Sequence, residues 1–262
     1  MRAFAFASAL SLALAGAADA APRRVASLNL CTDELLLLLA APEQIVSVTH
    51  LSQAEAETPL WRQARGYRKN DGSLVSVAPL KPDLVLTMGG GARDRGRIAA
   101  RLGIRTLDVP YPQTIPDVEK AVASVAAALG RGKAAQPVLA RIATLRGSAP
   151  KRSADAVWLG GGGRSLGAGS LGAQWMALTG LKQRALTGDR ITLEQLLVRP
   201  PAVLLRSNYR AGQYSGEQRW LSHPLAKAKG RSRTVATDGR LWTCMGPLLA
   251  GEVLRLRREL AR

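Results

Sequence analysis

Aromatic residues are scarce in this chain, with five tryptophans, four tyrosines and two phenylalanines among 262 residues. Each Trp and Tyr is therefore a marked position. Histidine and cysteine are scarcer, two of each. His50, His223, Cys31 and Cys244 lie too far apart to form the close-spaced pairs of a zinc site, so no metal site is expected. Acidic residues number 19 against 37 basic ones, a net charge of +18. No apolar run approaches the roughly 20 residues that a membrane-spanning helix requires. No segment is low enough in complexity to be read as disordered.

What is present starts with an export pattern. Arg2 is followed by a short uncharged apolar run from Phe4 to Leu14, and Ala18-Asp19-Ala20 fits a small-x-small cleavage site. Residues 1–20 are expected to be a cleavable signal peptide, releasing a soluble periplasmic protein from Ala21. Ala17 stands where a lipoprotein would need a cysteine. A charge of +18 suits nucleic acid, an anionic membrane surface or an acidic ligand. Export argues against nucleic acid, and the basic residues are scattered rather than gathered into one stripe. A solvated basic surface and an anionic ligand remain as alternatives. About 240 exported residues can bury a sizeable core, as one domain or two lobes.

One pattern is written twice, 119 residues apart. Ser73 opens a short helical pattern that leads to Pro82 and Leu84-Val85-Leu86. Thr192 opens the same pattern, leading to Pro201 and Val203-Leu204-Leu205. A hydroxyl N-cap starts each helix, proline ends it, and a branched apolar run reads as a buried strand. Two copies predict two similar α/β halves, with a cleft between them as the place for a ligand.

Around the repeat the chain alternates. Strands are expected at 24–30, 45–48, 84–88, 106–109, 156–159, 203–205 and 233–236. Helices are expected at 32–40, 94–102, 115–129, 133–146, 171–178 and 246–260. Strands alternating with helices at short intervals indicate largely parallel sheets. Two consecutive helices with no strand between them, at 115–129 and 133–146, mark a lobe boundary.

Several stretches, in this order, carry a resemblance. They are Arg24-Val25-Ala26-Ser27-Leu28-Asn29, Leu80-Lys81-Pro82-Asp83-Leu84-Val85-Leu86, Leu102-Gly103-Ile104, the glycine-rich stretch before Gln174-Trp175-Met176, Leu193-Glu194-Gln195-Leu196-Leu197, His223-Pro224-Leu225 and Asp238-Gly239-Arg240-Leu241-Trp242. Together they resemble the substrate-binding proteins of ABC importers for cobalamin, ferric siderophores and haem. The resemblance implies an α/β fold of two Rossmann-like lobes with mostly parallel sheets, an N-terminal lobe (21–132) and a C-terminal lobe (148–262), joined by a linking helix (133–147). It implies a monomer that binds a small-molecule metal chelate in the cleft, works with a membrane permease, transforms nothing and needs no cofactor. A ferric siderophore is the first choice of cargo, cobalamin the second and haem the third.

In that family a glutamate on each lobe meets arginines of the permease. Glu194 matches that position in the second repeat copy, and Val75 stands in its place in the first. Valine cannot make a charge-assisted contact. Asp71 lies nearby, at a spacing wrong for a simple replacement. Either docking is asymmetric or the permease differs; an ordinary solvated Glu194 is the plainer alternative.

Cleft residues of such a fold follow strand C-termini. On that logic the first lobe offers Cys31, Thr32, His50, Met88, Arg93 and Tyr111, and the second offers Arg164, Tyr209, Arg210, Arg240, Trp242 and Cys244. The arginines suit planar anionic oxygens, as on carboxylates or catecholates. Tyr209 and Trp242 suit stacking on a flat ligand, Trp242 foremost. The two cysteines admit three readings: buried free thiols, which we prefer, an inter-lobe disulfide, or contact with ligand or metal.

Two other motifs share one glycine-rich loop. Gly163-Arg164-Ser165-Leu166-Gly167 matches G-x-S-x-G, with Asp189 and His223 following in hydrolase order, so an exported serine hydrolase using Ser165 is the alternative from another class. Gly167-Ala168-Gly169-Ser170-Leu171-Gly172 fits G-x-G-x-x-G but no strand abuts its first glycine. A third alternative, an orphan ligand-sensing protein, draws on the missing glutamate at Val75.

Overall fold

The computed structural model describes residues 21–89, 92–227 and 231–262, with the side chains of 92–95 not among them. The expected signal peptide and the side chain of Arg93 lie outside the described residues. The first half runs β1 (Val25–Ser27), α1 (Leu30–Leu39), β2 (Ile45–Thr49), α2 (Trp61–Ala64), β3 (Arg68–Asn70), α3 (Leu74–Val77), β4 (Leu84–Met88), α4 (Ala92–Arg101) and β5 (Arg105–Val109). Its five strands are all parallel, in the order β3-β2-β1-β4-β5. Two helices follow, α5 (Ile115–Ala128) and α6 (Gly132–Gly147). The second half runs β6 (Ala154–Leu159), α7 (Leu171–Ala177), β7 (Leu181–Gln183), α8 (Leu193–Val198), β8 (Val203–Ser207), α9 (Gly216–Ser222), β9 (Arg233–Thr237), α10 (Leu241–Cys244) and α11 (Leu249–Leu260). Its four strands are again parallel, β7-β6-β8-β9. The fold is the two-lobed α/β arrangement that the alternation predicts.

The repeat builds the centre of each sheet. β4 lies between β1 and β5, and β8 between β6 and β9. Ser73 and Thr192 cap α3 and α8, each hydroxyl accepting from the backbone N–H three residues on at 3.2 Å. Buried runs are needed because helices cover both faces of a parallel sheet. Leu84 and Leu86 pack into one apolar cluster of the first lobe while Val85 points into another. Val203 and Leu205 likewise oppose Leu204 in the second. Asp83 closes the turn after Pro82 by accepting from the N–H groups of Arg23 and Arg24 at 2.8 and 3.1 Å.

Helices α5 and α6 cross from one core to the other. Ile115 and Val118 of α5 are buried with the second lobe's core, whereas Ala121, Val122, Val125 and Ala126 are buried with the first lobe's. On α6, Ala135 belongs to the first core and Ile142 and Leu145 to the second. The lobes thus share a helical hairpin that neither can shed without exposing apolar surface. Pro137 falls within the second turn of α6, where little of the backbone ladder is lost.

α1 carries an unusual feature for its position. Asp33 and Glu34, adjacent on the helix, are both buried. Asp33 accepts from the N–H and hydroxyl of Thr49 at 3.0 and 2.5 Å, and Glu34 from the Thr58 hydroxyl at 2.7 Å. Burial outweighs these bonds and pushes Asp33 up to about 6 and Glu34 up to about 7. Raised folded-state values favour the protonated fold, so this contribution is complete below about pH 4 and is lost as pH rises toward 7. Denaturant unfolding measured across that window should therefore show a falling stability, of order 3 kcal/mol per carboxyl. Asp33→Asn and Glu34→Gln, which keep the accepting oxygens, should each flatten the slope. An unchanged slope in both variants would refute the assignment.

Candidate functional site at the seam between the lobes

The segments that follow β1 and β2 in the first lobe meet those that follow β8 and β9 in the second. Cys31, in the first turn of α1 after β1, is bonded to Cys244 at the end of α10, 213 residues away, with Cα atoms 5.3 Å apart. This corrects the free-thiol reading, since two loops the sequence places in different lobes are in covalent contact. Further along the seam, Glu57 from the loop after β2 accepts from the Tyr209 hydroxyl at 2.8 Å and from the Arg210 guanidinium at 2.5 Å. Arg240 is held by Asp238 and donates to the Glu55 carbonyl at 2.9 Å. On the far side, Gln174 of α7 accepts from Ile115 N–H at 3.2 Å and donates to the Gln113 carbonyl at 3.1 Å.

Beside the seam, the C-terminal ends of β6 and β8 enclose a recess of about 510 Å³, within the usual range for small-molecule sites. Trp158, Arg164, Tyr209, Arg210, Gln213 and Ser215 contribute to its lining. The chain can turn tightly here because Gly162 and Gly163 adopt left-handed φ values of 63° and 75°, and a Cβ on Gly163 would lie 2.3 Å from the Ile191 carbonyl oxygen. Arg164 pairs with Glu217 at 2.9 Å, both half-open to solvent. Arg210 sits over the Tyr209 ring, 5.1 Å from its centroid. Burial and the Glu57 carboxylate hold the Tyr209 phenol above its ordinary pKa, so it stays a donor. The Trp158 indole N–H is buried without a partner among the described residues. The chemistry on offer is an aromatic wall flanked by two guanidinium groups.

Of the residues proposed from sequence, Arg164, Tyr209 and Arg210 are brought together in one recess, while Arg240 reaches across the seam to Glu55. Two expectations need correcting. Trp242 is core: it is 4% exposed, its indole N–H donates to the Thr237 hydroxyl at 2.8 Å, and it packs against Trp158 at 6.0 Å between centroids. Thr32 is fully buried, sharing a 2.7 Å hydrogen bond with Ser27. Neither can touch a ligand in this arrangement. His50 is exposed, its Nδ1 3.3 Å from the Asn70 carbonyl, and Met88 and Tyr111 lie apart at the ends of β4 and β5, with the Tyr111 ring laid over Gly89. None of these three lines the recess. The sequence reading missed Glu57, Glu217 and Trp158. Only Trp158 carried a signal, as one of five tryptophans at a predicted strand end.

Ser165 does not form a nucleophile elbow. Its hydroxyl donates to the Trp158 carbonyl at 2.6 Å and accepts from Gln183 at 3.0 Å, while His223 Nδ1 accepts from Leu225 N–H. Glu194 is exposed on α8, its carboxyl lowered by the Thr192 hydroxyl. Val75, 81% exposed, lies in a groove of about 790 Å³ with Asp71, Leu74, Pro79, Ile98 and Leu102. The Ser73 hydroxyl and N–H hold the Asp71 carboxyl at about 2, so it is ionised at neutral pH.

Two parallel-sheet lobes thus meet at the ends of their strands, with a recess beside the seam. A family model described as periplasmic binding protein matches residues 25–228, and the chain belongs to that family. A search of curated proteins gave no match. Among solved structures, the periplasmic heme binding protein HutB of Vibrio cholerae is similar over 91% of this chain and 99% of its own, with 16% identity and a TM-score of 0.72. The vitamin B12 binding protein BtuF of the same organism aligns over 92% and 98%, at 18% identity and a TM-score of 0.62. A possible iron-binding periplasmic solute-binding protein from Staphylococcus epidermidis aligns over 92% and 99%, at 16% identity and 0.64. At these identities the likeness is one of fold.

The placement of Trp242 makes a definite prediction. Trp242→Ala should cost about 3–5 kcal/mol of folding stability by denaturant unfolding, the range for a buried tryptophan. A change below about 1 kcal/mol would show that the side chain is not core.

Proposed function

We propose that this protein is the periplasmic binding component of an ABC importer, which captures a metal chelate at the seam and delivers it to a membrane permease. The family and the fold support the binding role. The recess carries the choice of cargo, because Trp158 and Tyr209 offer flat apolar surface beside Arg164 and Arg210. A ferric siderophore bearing carboxylates or catecholates suits that set, with cobalamin and haem as the other chelates to test.

The two guanidinium groups are not equivalent. Arg164 and Glu217 are 62% and 52% exposed, and such a pair is worth about 0–1 kcal/mol, so a ligand carboxylate can replace Glu217 readily. Glu57 is only 10% exposed, and displacing it from Arg210 would strand a buried carboxylate. Arg164 is therefore the primary anion contact and Arg210 a fixed positive neighbour. Docking then uses Glu194 on the second lobe and, on the first, the groove around Val75 with ionised Asp71 at its edge.

The test is intrinsic tryptophan fluorescence of the chain from Ala21, titrated with ferric citrate, a ferric catecholate, cobalamin and haem. One of them should quench saturably at micromolar concentration or below. Arg164→Ala should weaken an anionic chelate by about 10–100-fold, the equivalent of a lost charged hydrogen bond, with unaltered unfolding. No response to any of the four would overturn the cargo class. For docking, Glu194→Arg should suppress stimulation of the reconstituted importer's ATPase while leaving ligand affinity unchanged. Full stimulation by that variant would remove Glu194 from the interface.

A further inference from the structure

The Cys31–Cys244 bond does something the rest of the seam cannot. The lobes are already joined by the α5–α6 hairpin, and a pair of lobes tied at one place can swing about it. The disulfide adds a second covalent crossing, between the loop after β1 and the end of α10. Swinging is then limited to the axis through the two crossings. The bond also keeps the partners of the seam's polar contacts within short range of one another, which favours their re-forming whenever they break. These are Glu57 with Tyr209 and Arg210, and Arg240 with the Glu55 carbonyl.

We propose that the Cys31–Cys244 disulfide is a redox-releasable clamp that holds the seam shut, so that thiol–disulfide exchange sets how far the lobes open. Both cysteines are partly exposed, and exchange begins when an external thiolate reaches the bond. Cys31 lies in the first turn of the ten-residue helix α1, whose cap Asn29 accepts from the Cys31 N–H at 2.8 Å. A thiolate there is favoured by the helix N-terminus, which makes Cys31 the better leaving group. The step is an exchange with a dithiol reductant. Its thiolate attacks Cys244 Sγ, the protein S–S bond breaks, and Cys31 departs as thiolate and takes up a proton. The reductant's second thiol then resolves the mixed disulfide. Cys244 is released as a thiol, the reductant is left as a cyclic disulfide, and its two electrons and two protons have passed to the cysteines. Once released, the seam still has the Glu57 and Arg240 contacts described above.

Amide hydrogen exchange tests this without any ligand, so its outcome is independent of the chelate reading. The purified protein would be compared oxidised, reduced with dithiothreitol, and as the Cys31→Ser/Cys244→Ser double variant. Reduction should speed exchange at least tenfold in loops 50–58 and 207–211, leave β1, β4, β6 and β8 protected, and reverse on reoxidation. The double variant should show the fast loops without reductant; if it does not fold, the reduced and reoxidised wild type decides. Unchanged loops in the reduced protein would overturn the proposal. So would loss of protection throughout both cores, because the bond would then be holding the fold together rather than gating the seam.

Discussion

The α5–α6 hairpin is the constraint on which the rest of the molecule depends. Each helix is buried at one end in the first core and at the other end in the second. Sliding one lobe against the other would pull Ile142 and Leu145, or Val122 and Val125, out of apolar surroundings. Full burial of one such side chain is worth about 1.5–3 kcal/mol, so moving several together is prohibitive. The sheets are thereby held with their strand C-termini on a common edge. In a parallel sheet that edge is where loops can vary without disturbing the ladder, and it is where ligand sites of open α/β folds form. The disulfide, the Glu57 contacts and the recess all lie along that edge.

The electrostatics of that edge differ from those of the chain as a whole. A net charge of +18 suggests an anion trap, yet the three arginines of the site region are each met by a carboxylate: Glu217, Glu57 and Asp238. Counting arginines in a sequence therefore overstates the positive field a ligand would meet. What separates the three is how far the partner carboxylate is withdrawn from water. An exposed partner can be exchanged for a ligand oxygen, because water solvates it when it leaves. A buried partner acts as part of the protein's own wiring.

Most of the fold was legible because it rests on repeated local signals. The branched runs at 84–88 and 203–207, the hydroxyl caps at Ser73 and Thr192 and the prolines behind them mark elements that must be buried on both faces. Strands β3 and β7 escaped notice because they are three-residue edge strands, Arg68-Lys69-Asn70 and Leu181-Lys182-Gln183, in which polar residues can face water. The site was only partly legible. The rule that cleft residues follow strand C-termini singled out Arg164, Tyr209 and Arg210, which line the recess, and both cysteines, which bridge the seam. It says nothing about which way a side chain turns, and Thr32 and Trp242 turn inward. Glu57 lay beyond any such rule, since it sits in an irregular stretch and gains its role from residues more than 150 positions away.

The comparison of the two repeat copies separates what the fold requires from what it leaves open. The cap hydroxyl, the proline and the buried strand are kept in both, because losing any of them would expose backbone groups or apolar surface. The third residue of each copy is under no such constraint. Val75 is 81% exposed, and Glu194 is exposed as well. An apolar side chain held in water contributes nothing to the fold, and here it does not stand alone. Ile98 and Leu102, more than half exposed, come from α4 and the turn behind it to face the same groove. Three exposed branched side chains from two elements, beside a carboxylate held ionised by its own turn, form a surface of different chemistry from the Glu194 face. A partner that meets both faces must be asymmetric in the same sense: one contact led by charge, the other by apolar area.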